Sequence, residues 1–336
     1  MQAYELQQLT GVEGLVLVDR PEPQPGWGQI LIRIRATSLN YRDLVVAQGG
    51  YGSKQKLPLV PLSDGAGEVV ALGAGVTRVK VGDRVAGIFM QGWLAGGLTK
   101  DHMNTALGGA IDGLLAEYVV LDQTGVVILP EHLSYAEGAT LPCTGVTAWH
   151  SLVTQGKIAA GETVLVLGTG GVSMFALQFA TMHGARVIVT SSSDAKLATA
   201  RELGAWQTIN YRTTPDWEDV VFRLTDRQGV DHVVEVGGAG TLAKSLRAVR
   251  VGGRISLIGV LAGNAGEVNP VPILMKSITV QGIYVGSREM FEAMNRAISY
   301  HQLHPVIDRI FPFSDVPAAY QALQQARHIG KIVIQL

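Results

Sequence analysis

Polarity along the first third of the chain alternates with a period of two. Ile30, Ile32 and Ile34 fall on one side of the segment 29–36, and Gln29, Leu31, Arg33 and Arg35 on the other, mostly the pattern of a strand with one buried face. Further short apolar segments at 67–76 and 80–89 are separated by a Gly-Ala-Gly turn and a Val-Gly-Asp-Arg turn. This spacing predicts an irregular antiparallel β region. Residues 90–113 are rich in glycine and poor in periodicity, long for a connector; they read as a surface insertion, with a lid over a site as the other possibility.

The pattern changes after Ser134, which forms a Ser-x-x-Glu capping box with Glu137 and opens a helical stretch that Pro142 is expected to break. From there strands and helices alternate. Strands are predicted at 164–167, 186–190, 208–211, 232–236, 254–259 and 278–285, with helices at 174–183, 195–203, 217–227 and 241–249 between the first five. The fully apolar strands imply a parallel sheet covered by helices on both faces. A helix over 289–300 and a strand, helix and strand over 312–336 complete the chain, which shows no internal repeat.

Composition narrows the function classes. The 336 residues are 47% hydrophobic and 16% charged, enough to build a large core and suggesting about two domains. The net charge of -1, without basic or acidic blocks, gives no electrostatic grip on nucleic acid or an anionic membrane, so the expected partner is a small molecule. Cys143 is the only cysteine, which excludes an intramolecular disulfide, a four-cysteine zinc lobe and an iron–sulfur cluster. With no apolar run approaching the ~20 residues needed to cross a bilayer and no leader pattern at the start, a cytoplasmic protein is expected.

The sharpest local motif is Val164-Leu-Val-Leu-Gly168-Thr-Gly170-Gly171-Val172-Ser173, a glycine cluster between a buried strand and a helix. Gly168 permits a tight turn, Gly170 lets backbone approach a pyrophosphate, and Gly171 and Val172 open the helix whose free N–H groups and positive dipole end face it. Ser173 replaces the third glycine of the dinucleotide fingerprint. The end of the second strand decides which dinucleotide is favoured, since an acid there would accept from the 2′-hydroxyl of NAD and repel a 2′-phosphate. Thr190, Ser191 and Ser192 stand there, with Lys196 one helical turn further and Tyr211 at the end of the third strand, both able to donate to a phosphate. NADP(H) is therefore the expected cofactor, and Asp194 is read as a helix cap.

Together with the glycine turn, the Val81–Val85 turn, Leu-Pro-Cys-Thr-Gly-Val-Thr-Ala-Trp at 141–149 and Val-Gly-Gly-Arg at 251–254, the chain resembles the medium-chain dehydrogenase/reductase superfamily nearly end to end. That resemblance implies an α/β fold: a doubly wound Rossmann domain, and a chaperonin-10-like (GroES-like), mostly antiparallel β catalytic domain built from both chain ends. The boundaries it suggests are 1–125, 126–287 and 288–336, with cofactor and substrate in a cleft. Asn40 with Tyr51, Lys196 with Tyr211, and Ala205-Trp-Gln-Thr-Ile-Asn-Tyr-Arg212 look like the zinc-free NADPH quinone oxidoreductase branch. The implied assembly is a homodimer through the last Rossmann strand, 278–285. Where zinc alcohol dehydrogenases of the superfamily carry metal ligands, this sequence has Asn40, Ser63 and Cys143, so no metal is expected and Cys143 is read as a buried small hydrophobe.

Without a Lewis acid, hydride addition is easiest to a carbon conjugated with a carbonyl, because the charge spreads into an enolate or quinol that hydrogen bonds can stabilise. Quinones, enones and enals are thus the expected acceptors. Asn40 and Tyr51 are the candidate donors to the developing oxyanion, with Tyr41 and Ser63 behind them, and Val45 takes the place of the family's further active-site tyrosine. As plain structural readings, Asn40 is a turn-capping amide and Tyr51 an anchoring aromatic. Asn40, Thr144, Ile258, Gly259 and Val260 are expected to line the nicotinamide, and Arg327 to reach the 2′-phosphate or stand as a solvated surface arginine. Two other readings stay open: a zinc-free NADP-dependent alcohol dehydrogenase or ketone reductase, and a non-catalytic NADPH-binding protein.

Overall fold

A computed structural model describes residues 1–50 and 56–336, which divide into two compact units. One comprises Met1–Val146 with Val285–Leu336, the other Thr147–Tyr284. The sequence places the divisions at 126 and 288, and the first difference has a plain cause. The short strand Val126–Ile128 pairs antiparallel with Arg84–Gly87, which fixes the following residues to the first unit.

The first unit is built on a mostly antiparallel sheet. Its strands run from one edge as Ile307–Pro312, Lys331–Gln335, Gln29–Ser38, Asp64–Leu72, Arg84–Gly87 and Val126–Ile128, with Tyr118–Asp122 also paired to Gln29–Ser38. The alternation read from 29–36 is real: Ile30, Ile32 and Ile34 are buried among Val69, Val85, Leu107, Leu114 and Val126. A second cluster gathers Leu39, Val46, Leu59, Leu62, Tyr320 and Ile334, joining both chain ends in one core. Residues 90–113 are more than a surface insertion. Met90, Trp93, Ala106 and Leu107 are buried while most of the residues between Ala95 and Asn104 are exposed, so the segment contributes apolar side chains to this unit's interior.

The helical stretch opened at Ser134 stops at Gly138, and Pro142 falls in the first turn of a new helical segment from Leu141, where its missing N–H has no partner to lose and which continues through Val146–Trp149. The Ser134–Glu137 capping box forms as expected, with the Glu137 N–H donating to Ser134 Oγ at 3.2 Å and the Ser134 N–H to Glu137 Oε2 at 2.7 Å.

The second unit is a six-stranded parallel sheet ordered Gln207–Asn210, Arg186–Ser191, Thr163–Leu167, Val230–Glu235, Val249–Leu257, Thr279–Gly282. Counted along the chain this order is 3-2-1-4-5-6, the doubly wound Rossmann arrangement. The strand Thr163–Leu167 is buried at every residue, and Leu165, Ile188, Val233 and Ile255 form the core with Trp217, Leu242 and Leu246 from the covering helices. Chain direction reverses its walk across the sheet between the first and fourth strands, which opens a crevice at their carboxyl ends.

Candidate active site

Register places the glycine turn at that crevice. Leu167 pairs with Thr190 and Asn210 with Ser191, so Gly168, Ser191 and Tyr211 stand at the carboxyl ends of three adjacent strands. The Tyr211 N–H donates to Ser191 O at 3.0 Å, and the side chain of Tyr211 is 42% exposed. Gly168 has φ +74, in the left-handed region that a β-carbon disfavours. A β-carbon added at Gly170 would meet no atom within 4 Å, so that glycine keeps a space clear at the start of the helix Gly171–Met182. No side chain caps this helix, leaving the N–H groups of Gly171 and Val172 for an external acceptor. Ser173 stands where a third glycine would pack; its buried hydroxyl donates to Leu167 O at 2.8 Å, which ties helix to strand. The residues present fit a dinucleotide pyrophosphate.

Beyond the second strand Ser191 is buried and Ser192 half-buried. The cap of the next helix is Ser193, whose Oγ accepts the Lys196 N–H, rather than Asp194. Ser193 wins because its backbone is extended while Asp194 already lies within the helix. The Asp194 carboxylate accepts instead from Asn210 Nδ2 at 2.8 Å. The segment through Ile258, Gly259 and Val260 follows the fifth strand and is fastened to the fourth by the Ile258 N–H to Glu235 O at 2.8 Å. Glu235, to which the sequence attached no role, is fully buried and accepts from the Gly237 and Gly238 N–H groups and from the Thr241 and Ser245 hydroxyls. That carboxylate fixes the turn into the helix Ala239–Ala248.

In the other unit Asn40 follows the strand Gln29–Ser38 and immediately precedes the helix Tyr41–Ala47. Its N–H donates to Asp43 Oδ2 at 2.7 Å and its Oδ1 accepts from Lys331 Nζ. Lys331 also donates to Leu39 O at 2.6 Å and lies 3.8 Å from Asp64 Oδ2. Ser63 donates to Asp64 Oδ1 at 2.8 Å, and the Cys143 N–H to Asp64 Oδ2 at 3.2 Å. Burial pushes the Asp43 carboxyl up to about 6, with Asp64 adding to the shift and Arg42, the Asn40 N–H and Lys331 opposing it. Asp64 is raised by the same desolvation, against Lys331, Asn40, Ser63 and the Cys143 N–H. The Cys143 thiol is driven far above its ordinary range by burial and by the Asp64 charge.

Ser63 spends its proton on Asp64, and Tyr41 stands 49% exposed at the start of its helix. Thr144 is buried and turns its hydroxyl back onto Thr140 O at 3.0 Å. Arg327 is exposed after the helix Val316–Gln324. Tyr51 lies outside the described residues. Asp43, Asp64 and Lys331 escaped sequence reading; Asp43, three residues after Asn40, carries the one local signal, a capping-box spacing.

The three positions where the resemblance implies zinc ligands do not suit that ion. Asn40 Oδ1 is taken by an ammonium and the Ser63 hydroxyl is turned onto a carboxylate, which leaves Cys143 as the single thiol of the three. No group of three or more His, Cys, Asp or Glu side chains able to hold a metal exists among the described residues. Nor is any described helix long and apolar enough to cross a membrane.

Comparison with known proteins agrees with this architecture. Residues 26–131 match the alcohol dehydrogenase GroES-like domain, and residues 171–299 match a family described as zinc-binding dehydrogenase. A zinc-type alcohol dehydrogenase-like protein of Schizosaccharomyces pombe is 43% identical over 92% of this chain and 91% of its own. A solved NAD-dependent alcohol dehydrogenase superposes with a TM-score of 0.92 at 33% identity, covering 100% of both chains. A mycobacterial protein complexed with NADPH gives 0.84 at 27% identity, again over 100% of both chains.

Proposed function

The chain belongs to the medium-chain dehydrogenase/reductase superfamily, as an oxidoreductase of its alcohol dehydrogenase and quinone oxidoreductase-like kind, and from that premise we propose that it is a zinc-independent reductase transferring a hydride from NADPH to a quinone or α,β-unsaturated carbonyl. The observation that carries the metal-free reading is the Lys331 ammonium on Asn40 Oδ1, beside Asp64, where a metal site would need open ligands. The nicotinamide supplies the hydride when bound. The glycine turn and the first N–H groups of the helix Gly171–Met182 hold the pyrophosphate. Ser191, Ser192, Lys196 and Tyr211 favour a 2′-phosphate. Asn40 offers Nδ2 to the carbonyl oxygen of the acceptor, with Tyr51 as the second donor.

The same reading includes a homodimer. Thr279–Gly282 is an edge of the parallel sheet, and Val271, Leu274 and Met275 near it are more than half exposed, an apolar surface that a second copy would cover.

NADPH oxidation measured against a quinone, a conjugated enone and the matching saturated ketone, with and without chelator, tests the proposal. Turnover of quinone or enone that persists with chelator is expected. Loss of turnover on chelation contradicts it, reaction with saturated ketones alone points to a ketone reductase, and tight NADPH binding with no turnover points to a non-catalytic protein.

A further inference from the structure

Lys331 opens the strand Lys331–Gln335 and is 2% exposed, a depth at which a lysine needs a reason. Its ammonium is held by Leu39 O, Asn40 Oδ1 and the Asp64 carboxylate. An ammonium has three donors and no acceptor, so the prong of the Asn40 carboxamide that meets it must be oxygen. The other prong is then Nδ2, which is turned toward the Asp64 carboxylate and lowers its pKa, but closes no well-formed hydrogen bond among the described residues. Asn40 itself is only 6% exposed. A buried donor left open is costly, and such groups mark places where an external acceptor completes the set.

Removing the ammonium changes the preferred orientation of that amide. Leu39 O would lose its donor, and a half-turn of the carboxamide would bring Nδ2 toward it while presenting Oδ1 in its place. An acceptor so presented repels a developing oxyanion.

We propose that Lys331 is a positioning residue: it sets the orientation of the Asn40 amide so that Nδ2–H is offered to the carbonyl oxygen of the acceptor. The identity of that acceptor rests on the reductase reading; the orientation of the amide does not.

Two readouts test this. In steady-state oxidation of NADPH by a conjugated enone, Lys331→Met should lower kcat by about ten- to a hundred-fold with the Kd for NADPH unchanged. The Lys331→Met/Asn40→Ala double variant should be no slower than Asn40→Ala alone, since one residue acts through the other. Lys331→Met/Asp64→Asn strands no carboxylate and provides the same comparison should Lys331→Met fold poorly. The second readout needs no turnover: the side-chain amide resonance of Asn40, identified by its loss in Asn40→Asp, should move in both Lys331 variants. Additive losses in kcat, or an unmoved resonance, overturn the proposal. A resonance that moves in a protein with no enone turnover leaves the positioning role standing and removes the reductase reading instead.

Discussion

The glycine turn and the polar cluster around Asn40 differ first in how their parts are spread along the chain. The turn is six consecutive residues, Gly168 to Ser173, between one strand and one helix. The cluster draws Asn40, Asp64, Cys143 and Lys331 from four segments, and its bond from Lys331 to Asn40 spans 291 positions. They differ also in solvation. Gly170 borders open space, whereas Asp43, Asp64 and Lys331 are all buried. An open turn can lose its ligand contacts and stay folded; a buried network of charges cannot lose a member without leaving another uncompensated.

The contrast is broken or sharpened by four variants. Lys331→Met should show the largest effect, roughly 3–5 kcal/mol lost from unfolding free energy, because Asp64 is left buried without its counter-ion; urea melts of Lys331→Met and of Lys331→Met/Asp64→Asn should show partial recovery in the latter. Asp43→Asn follows. The folded-state pKa of Asp43 is raised to about 6, so its neutral form favours folding in full below the ordinary carboxylate range, and that contribution is lost as pH rises through about 6. The stability of the wild type relative to Asp43→Asn should therefore fall by on the order of 2–3 kcal/mol between pH 4 and pH 7. A difference that is flat or rises with pH would contradict the assignment.

Gly170→Val acts in the opposite region. With nothing within 4 Å of the added β-carbon, its thermal midpoint should stay near the wild-type value while NADPH binds roughly a hundred-fold more weakly by fluorescence titration. A comparable loss of stability would erase the contrast between the two regions. Lys196→Ala is the smallest change: NADPH should weaken about ten- to a hundred-fold, the worth of one charge-assisted bond, with NADH nearly unaffected.

Legibility in the sequence follows the same division. Val164 to Ser173 announces strand, turn and helix because each signal lies within a few residues, and fully apolar strands separated by helices imply the parallel sheet before its order is known. Ser193 displaced Asp194 as a helix cap because neighbouring residues of similar propensity are separated only by backbone angle. Residues 90–113 read as surface because their apolar positions follow no period, yet Trp93 is buried and Leu107 fills a core formed by distant strands. Lys331 was invisible for a stronger reason. A lysine before an apolar run carries no mark of burial, and only the meeting of its strand with Gln29–Ser38 brings it to Asn40 and Asp64. Residue types that propose a site can be read in order along a chain, while the counter-ions that complete it depend on tertiary closure.

The most direct measurement is a parallel titration of the wild-type protein with NADPH and NADH at fixed ionic strength. The serine-rich end of the second strand, with Lys196 and Tyr211 near it, predicts a Kd at least about tenfold lower for NADPH. Equal affinities, or tighter binding of NADH, would contradict the account.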